Sequence, residues 1–175
     1  MEYEPKVNKN REFKEIAADF SNPLDAVREA ISNSLDAKAS DIKIGATSEK
    51  IDTQDKLVLI FEDNGNGMNE EGIKSFFDLG NSTWDDGTGT IGEKGHGTKI
   101  FYRSEILEVE TIDTNGKKIT AKVVDPWITL NKKEKLKIDI SNQTQTAQPH
   151  GTKIKITGFY DNKATFLKMQ KFEII

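Results

Sequence analysis

Glu29, Asn33 and Asp36 fall at i, i+4 and i+7 in the segment Asn22-Pro-Leu-Asp-Ala-Val-Arg-Glu-Ala-Ile-Ser-Asn-Ser-Leu-Asp-Ala37. On a helix that spacing lines oxygen-bearing side chains along one wall, although taken alone such a row is equally a solvated face. A second group follows in Phe61-Glu-Asp-Asn-Gly-Asn-Gly-Met68. A calcium loop counted from Glu62 would need a closing glutamate at its twelfth position and finds Ile73. An ordinary Asn-Gly turn would lead straight into a partner strand, and this one does not. A binding edge remains: Asp63 at a strand end, with Gly65 and Gly67 letting a flat ligand approach the backbone. A third group, Gly92-Glu-Lys-Gly-His-Gly-Thr98, enters a helix, and closely spaced glycines there expose backbone N–H groups suited to a polyphosphate. The overlapping Gly87-Thr-Gly-Thr-Ile-Gly92 matches GxGxxG, but no strand precedes it and no βαβ unit surrounds it, so a dinucleotide fold is rejected. No GxxxxGK[ST] occurs either, and a nucleotide site here must be of another class. His150-Gly-Thr-Lys-Ile-Lys-Ile156 is, alone, ordinary turn chemistry at a strand start.

The elements that must hold these residues can be read from periodicity. Asn22 is placed to cap a helix with Pro23 at its first position, and Leu24, Val27, Ile31 and Leu35 repeat along one apolar face. Residues 1–22 read as an arm or short helix. Period-two text predicts strands over Asp41 to Ala46 and Lys56 to Phe61, joined by a polar loop from Ser48 to Asp55. A helix is expected from Glu70 to Leu79. The aperiodic stretch from Gly80 to Gly97 is longer than a compact domain usually carries without a function. A short helix over Thr98 to Ser104 precedes strands at Glu105 to Ile112 and Lys117 to Val124, turning at Asn115-Gly116. Strands are also expected at Leu136 to Ile140 and Thr152 to Thr157, and a helix over the last fifteen residues. Helices early and strands late indicate an α+β fold, with one mixed, mostly antiparallel sheet and helices packed on one face.

The chain of 175 residues is sized for one domain. Its net charge of −4 gives no basic excess, so nucleic-acid binding is not implied. It has no cysteine and two histidines, which excludes disulfides, thiolate metal sites and an imidazole cluster. With no signal-like start and no membrane-length apolar run, a cytoplasmic protein is the default expectation.

Taken together and in order, the four groups resemble the GHKL superfamily (gyrase, the ninety-kilodalton heat-shock chaperones, histidine kinases and MutL) and its Bergerat ATP-binding fold, a two-layer α/β sandwich. Glu29 to Ala37 is similar to the family's Glu-x-x-x-Asn-x-x-Asp-Ala box, Asp63 to Met68 to its Asp-x-Gly-x-Gly box, Gly92 to Gly97 to its Gly-x-x-Gly-x-Gly box, and Gly151-Thr152 to its terminal Gly-Thr strand. The chaperone-like, MORC and MutL branches look nearest. The resemblance implies a Mg²⁺-dependent ATP site. Glu29 would be the general base for water attack on the γ-phosphate, and Asn33 the Mg²⁺ ligand. Asp63 would accept the adenine amino hydrogen, supported by Thr152. Gly65, Gly67 and Met68 would line the base pocket. Gly92, Lys94, Gly95, His96, Gly97, Thr98 and Lys99 would surround the phosphates. Asp36 and Ala37 close the first box, Asp36 in a supporting role. His96 would serve through its backbone N–H, while Lys94 and Lys99 read equally well as surface lysines and Met68 as core.

Residues 80–97 would then be the ATP lid and 159–175 a C-terminal extension. Glu29 favours hydrolysis over phosphotransfer to histidine. Relatives bring a cation to the γ-phosphate from a following domain, and nothing after Thr157 resembles one. The chain therefore reads as an ATP-binding domain of a longer protein, or a minimal relative, with slow turnover in isolation and homodimerisation on ATP binding in the full-length protein. Against this stands a module that binds ATP or ADP without hydrolysing it, or serves only as an interaction scaffold.

Overall fold

Alternating apolar residues build the sheet. The computed structural model describes residues 8–19, 22, 24–51, 53–78, 97–141, 143–160 and 172–174. Helices α1 (Lys9–Asp19) and α2 (Asp25–Asp36) precede strands β1 (Ile42–Ile51) and β2 (Gln54–Asp63). Helix α3 (Glu70–Phe77) follows, then a 3₁₀ helix at Gly97–Tyr102, β3 (Ile106–Ile112), β4 (Lys117–Val124) and α4 (Pro126–Asn131). Strands β5 (Asp139–Ile140), β6 (Thr144–Gln145), β7 (Gly151–Thr157) and β8 (Phe172–Ile174) complete the order. The strands form one sheet, β5-β4-β3-β7-β2-β1-β8, with β6 also on β4. Every pairing among the described residues is antiparallel. No helix among the described residues is long and apolar enough to cross a membrane.

Several element expectations are corrected. The Ser48 to Asp55 loop is mostly strand, because β1 and β2 stay paired as far as Ile51↔Gln54. The longer ladder satisfies backbone groups that a loop would leave to water. The strand expected at Leu136 to Ile140 shrinks to β5. The helix expected at the C-terminus lies largely outside the described residues, and its described part, β8, is a strand on the edge of β1. Helix α2 starts at Asp25, and Pro23, expected as its first position, lies outside the described residues. Asn22 Oδ1 still accepts the Leu24 N–H at 3.0 Å, holding the turn that leads in. Asn115-Gly116 turns the β3–β4 hairpin as expected, with Gly116 at φ 73°.

One face of the sheet is the core. Ile42 and Ile44, Leu57, Leu59 and Phe61, Ile154 and Ile156, Leu107 and Val109, and Ile119, Ala121 and Val123 are all buried there. Helix α2 turns Ala26, Ala30 and Ser34 inward rather than the Leu24–Leu35 stripe; Leu24, Val27 and Ile31 pack at the rim and Leu35 is 46% exposed. Small side chains let the helix axis lie close to its neighbours, which the larger apolar face would forbid. The 3₁₀ helix is the centre of the helical layer, contacting α1, α2 and α3, with Lys99, Ile100, Phe101 and Tyr102 all buried.

The opposite face is a field of paired charges: Lys153–Glu62, Lys155–Glu49, Lys118–Glu110 and Lys122–Glu108. Half-exposed pairs of this kind add little stability. Their effect is to keep that face locally neutral.

Candidate functional site

Helix α2 carries two sets of polar atoms. Near its middle, Asn33 Nδ2 donates to Glu29 Oε1 at 3.0 Å. One residue on, the Ser34 hydroxyl donates to Asp63 Oδ2 at 3.0 Å and lies 2.9 Å from Ala30 O. The rise from residue 29 to 34 is about 7.5 Å. One rigid helix thus ties Glu29 and Asn33 to the acid that ends β2. From the other side Gly97, the first residue of the 3₁₀ helix, lies against the Glu29 carboxyl so closely that a β-carbon there would collide with both of its oxygens.

Two hydrogen bonds hold the Asp63 carboxylate: its Oδ1 accepts the Gly65 N–H at 2.8 Å and its Oδ2 accepts from Ser34, while Thr152 stands opposite on β7. Each carboxylate oxygen can accept two hydrogen bonds, so capacity for a ligand donor remains.

The glycines after Asp63 are occupied by protein. Gly65 packs on Ala37, whose carbonyl also accepts the Asn66 N–H at 2.8 Å. Gly67 takes φ 65°, and a side chain there would enter the Ile112 carbonyl. Their smallness therefore serves close packing within the protein. Gly67→Ala combines a left-handed φ with a backbone clash. It is expected to lower unfolding free energy by about 2 kcal/mol or more, read as a drop in the urea midpoint at unchanged slope. Met68 donates its N–H to Thr111 Oγ1 at 2.7 Å and packs against the core. Thr152 Oγ1 lies 3.2 Å from the same Thr111 hydroxyl.

Thr98 and Lys99 turn inward. The Thr98 hydroxyl donates to Phe76 O at 3.0 Å, and Lys99 Nζ donates to that carbonyl at 2.9 Å and to Thr98 Oγ1 at 2.7 Å. Lys99 is fully buried, which removes its reading as a surface lysine. Burial lowers its ammonium to about 7, against the pull of Glu29 and Asp78. Gly92, Lys94, Gly95 and His96 lie outside the described residues.

Burial pushes the Glu29 carboxyl above the ordinary glutamate value, against the Asn33 hydrogen bond and the charge of Lys99, while Asp36 adds to the rise. Burial raises Asp63 too, against its bonds from Gly65 and Ser34 and the nearby Thr152 N–H. For both groups the folded value exceeds the unfolded one. Their stabilisation is complete below the unfolded values and is lost as pH rises through the folded ones. Glu29→Gln removes one such group. Its melting temperature is expected to match or exceed that of the parent at pH 7, with the gap closing in acid, as followed by thermal melts across pH.

Two contacts were not legible in the sequence. Ser34 orients Asp63, and a serine inside a helix gives no such signal. His150 Nδ1 lies 2.6 Å from Gly65 O; a carbonyl only accepts, so that nitrogen carries the proton and fastens the Asp63 loop to the start of β7. Beside it a cleft of about 370 Å³ opens among Lys43, Glu62, Glu110 and Lys153 on the charged face.

With this geometry in place, the chain was compared with known proteins. A sequence profile of the family described as histidine kinase-, DNA gyrase B- and HSP90-like ATPases matches residues 21–155, well over half of the chain. The chain belongs to this family. It is a GHKL-type ATPase domain, and its antiparallel sheet with helices on one face is the Bergerat arrangement. Protein MICRORCHIDIA 1 of Arabidopsis thaliana is 40% identical to this GHKL domain over 75 residues, which is 40% of the chain and 12% of that protein. A solved structure described as the N-terminal domain of a DNA repair protein superposes with a TM-score of 0.55 at 18% identity, over 91% of this chain and 43% of that one. That second likeness is one of fold. The chain spans less than half the length of either relative.

Proposed function

We propose that this GHKL domain binds Mg·ATP along α2, adenine on Asp63 and phosphates beside Glu29, and hydrolyses it slowly. The observation that carries this is the rooting of both ends on one helix: Asn33 bonds Glu29, and the adjacent Ser34 bonds Asp63. An ionised Asp63 accepts the adenine amino hydrogen and disfavours guanine, whose carbonyl would face it. Met68 and Thr152 bound the base. Glu29, whose raised proton affinity makes it a stronger base, accepts the proton of the attacking water. The Asn33 amide fits a hard cation, since its nitrogen is committed to Glu29 and its oxygen is directed away. Magnesium, when bound, neutralises phosphate charge. Gly97 presses on Glu29 at the end of the 80–97 stretch, so closure of that stretch as a lid over nucleotide would reach the base directly. In the longer protein, lid closure would drive homodimerisation.

A second reading, nucleotide binding without hydrolysis, draws on Lys99 and Thr98. Both side chains are committed to the Phe76 carbonyl, so Lys99 offers no charge and Thr98 no hydroxyl proton to a γ-phosphate in this conformation. Calorimetry with ATP, ADP and GTP, with and without magnesium, tests the shared part. ATP and ADP should bind, magnesium should strengthen ATP, and GTP should bind at least tenfold more weakly. Equal affinity for GTP, or no heat with ATP, would remove the adenine assignment.

A further inference from the structure

Thr111 is fully buried, one residue before the end of β3. Across the sheet it stands opposite Thr152, which stands opposite Asp63, so the three form one row over β3, β7 and β2. Its hydroxyl oxygen accepts the Met68 N–H at 2.7 Å and lies 3.2 Å from Thr152 Oγ1 and 3.3 Å from Gly151 O. These contacts close a circuit. It runs from Asp63 through the covalent loop to Met68, by the Met68 N–H to Thr111, by hydroxyl contact to Thr152, and through the pairing of Thr152 on β7 with Asp63 on β2 back to its start. Every other link is backbone or a residue already placed at the base; Thr111 is the one member set back from it.

We infer that Thr111 is a positioning residue for base selection: its hydroxyl sets where Met68 and Thr152 stand relative to Asp63, and thereby how strictly the 6-amino group of adenine is required. This rests on the adenine site proposed above. A threonine hydroxyl has one proton and two acceptor sites. It can take the Met68 N–H and donate to Gly151 or Thr152 together, and valine, of the same shape, can do neither. A residue that only filled space would be replaced by valine without change in base choice.

The experiment uses the full-length protein with Thr111→Val and Thr111→Ser, titrated with ATP and with purine riboside triphosphate, which lacks the 6-amino group. The inference expects Thr111→Val to bind ATP about tenfold more weakly while its affinity for the analogue changes little, so that the preference for ATP collapses. Thr111→Ser, which keeps the hydroxyl, restores it. Should the valine variant not fold, Thr111→Cys, whose sulfur accepts only weakly, must lose part of the preference. A retained ATP preference in the valine variant, or in the cysteine variant when it stands in, overturns the inference. Equal loss of both ligands does the same, since it marks a purely structural role. A parent that binds neither ligand overturns the adenine site itself, and this inference with it.

Discussion

Glu29→Gln in the full-length protein is expected to cut ATP turnover by about a hundredfold or more while leaving ATP affinity within a few-fold of the parent. Glutamine keeps the size of the side chain and an oxygen for the Asn33 N–H, so the 3.0 Å contact and the packing against Gly97 can persist. What it removes is the capacity to take a proton. A general base contributes roughly 10² to 10⁴ in rate, and the expected loss lies within that range. Phosphate release measured alongside ATP calorimetry checks both halves. Unchanged turnover would transfer the base to another residue, and a parallel loss of affinity would make Glu29 a binding group instead.

Asp63→Asn should act at the other end. The amide must place its –NH₂ against either the Gly65 N–H or the Ser34 hydroxyl. Ser34 can turn to donate only to Ala30 O, so the nitrogen settles on that side and its second hydrogen meets the adenine amino group. An acceptor becomes a donor facing a donor. The expected loss is about 1–3 kcal/mol, or roughly ten- to a hundredfold in ATP affinity. It should be equal for ADP and absent for inorganic tripolyphosphate, which has no base. A variant that binds ATP as the parent does would leave Asp63 as a loop-forming residue only. Like Glu29→Gln, this variant removes a raised carboxyl and should not melt below the parent at pH 7 on electrostatic grounds.

The strands are legible where one face is buried, because apolar and polar residues then alternate: Leu107 and Val109 point inward while Glu108 and Glu110 point out. The Asn115-Gly116 turn was equally plain. The polar hairpin tip of β1 and β2 was misread since neither of its faces is buried there and hydropathy carries no signal. Helix α2 was found but its buried side was assigned to leucine, valine and isoleucine, when the closest approach belongs to Ala26, Ala30 and Ser34. Hydrophobicity reports how much area a side chain could hide, not how near a neighbouring backbone must come. Lys99 was ambiguous for a related reason: in the centre of the helical layer it is held by the Phe76 carbonyl, a partner 23 residues away in sequence. The motif residues were legible as types in order. The hydroxyls of Ser34 and Thr111, which join those motifs, were not, because a lone serine or threonine in a regular element suits almost any environment.

Because Glu29 and Ser34 share one uninterrupted helix, α2 fixes the spacing between the two proposed ends of the site like a ruler. One residue inserted between them would turn everything beyond it by about 100° and slide it about 1.5 Å along the axis, swinging one carboxylate out of reach of its partners. Changes of length in this domain must therefore be taken up elsewhere. The tip joining β1 to β2, at the far end of those strands from Asp63, can lengthen or shorten without altering the measure.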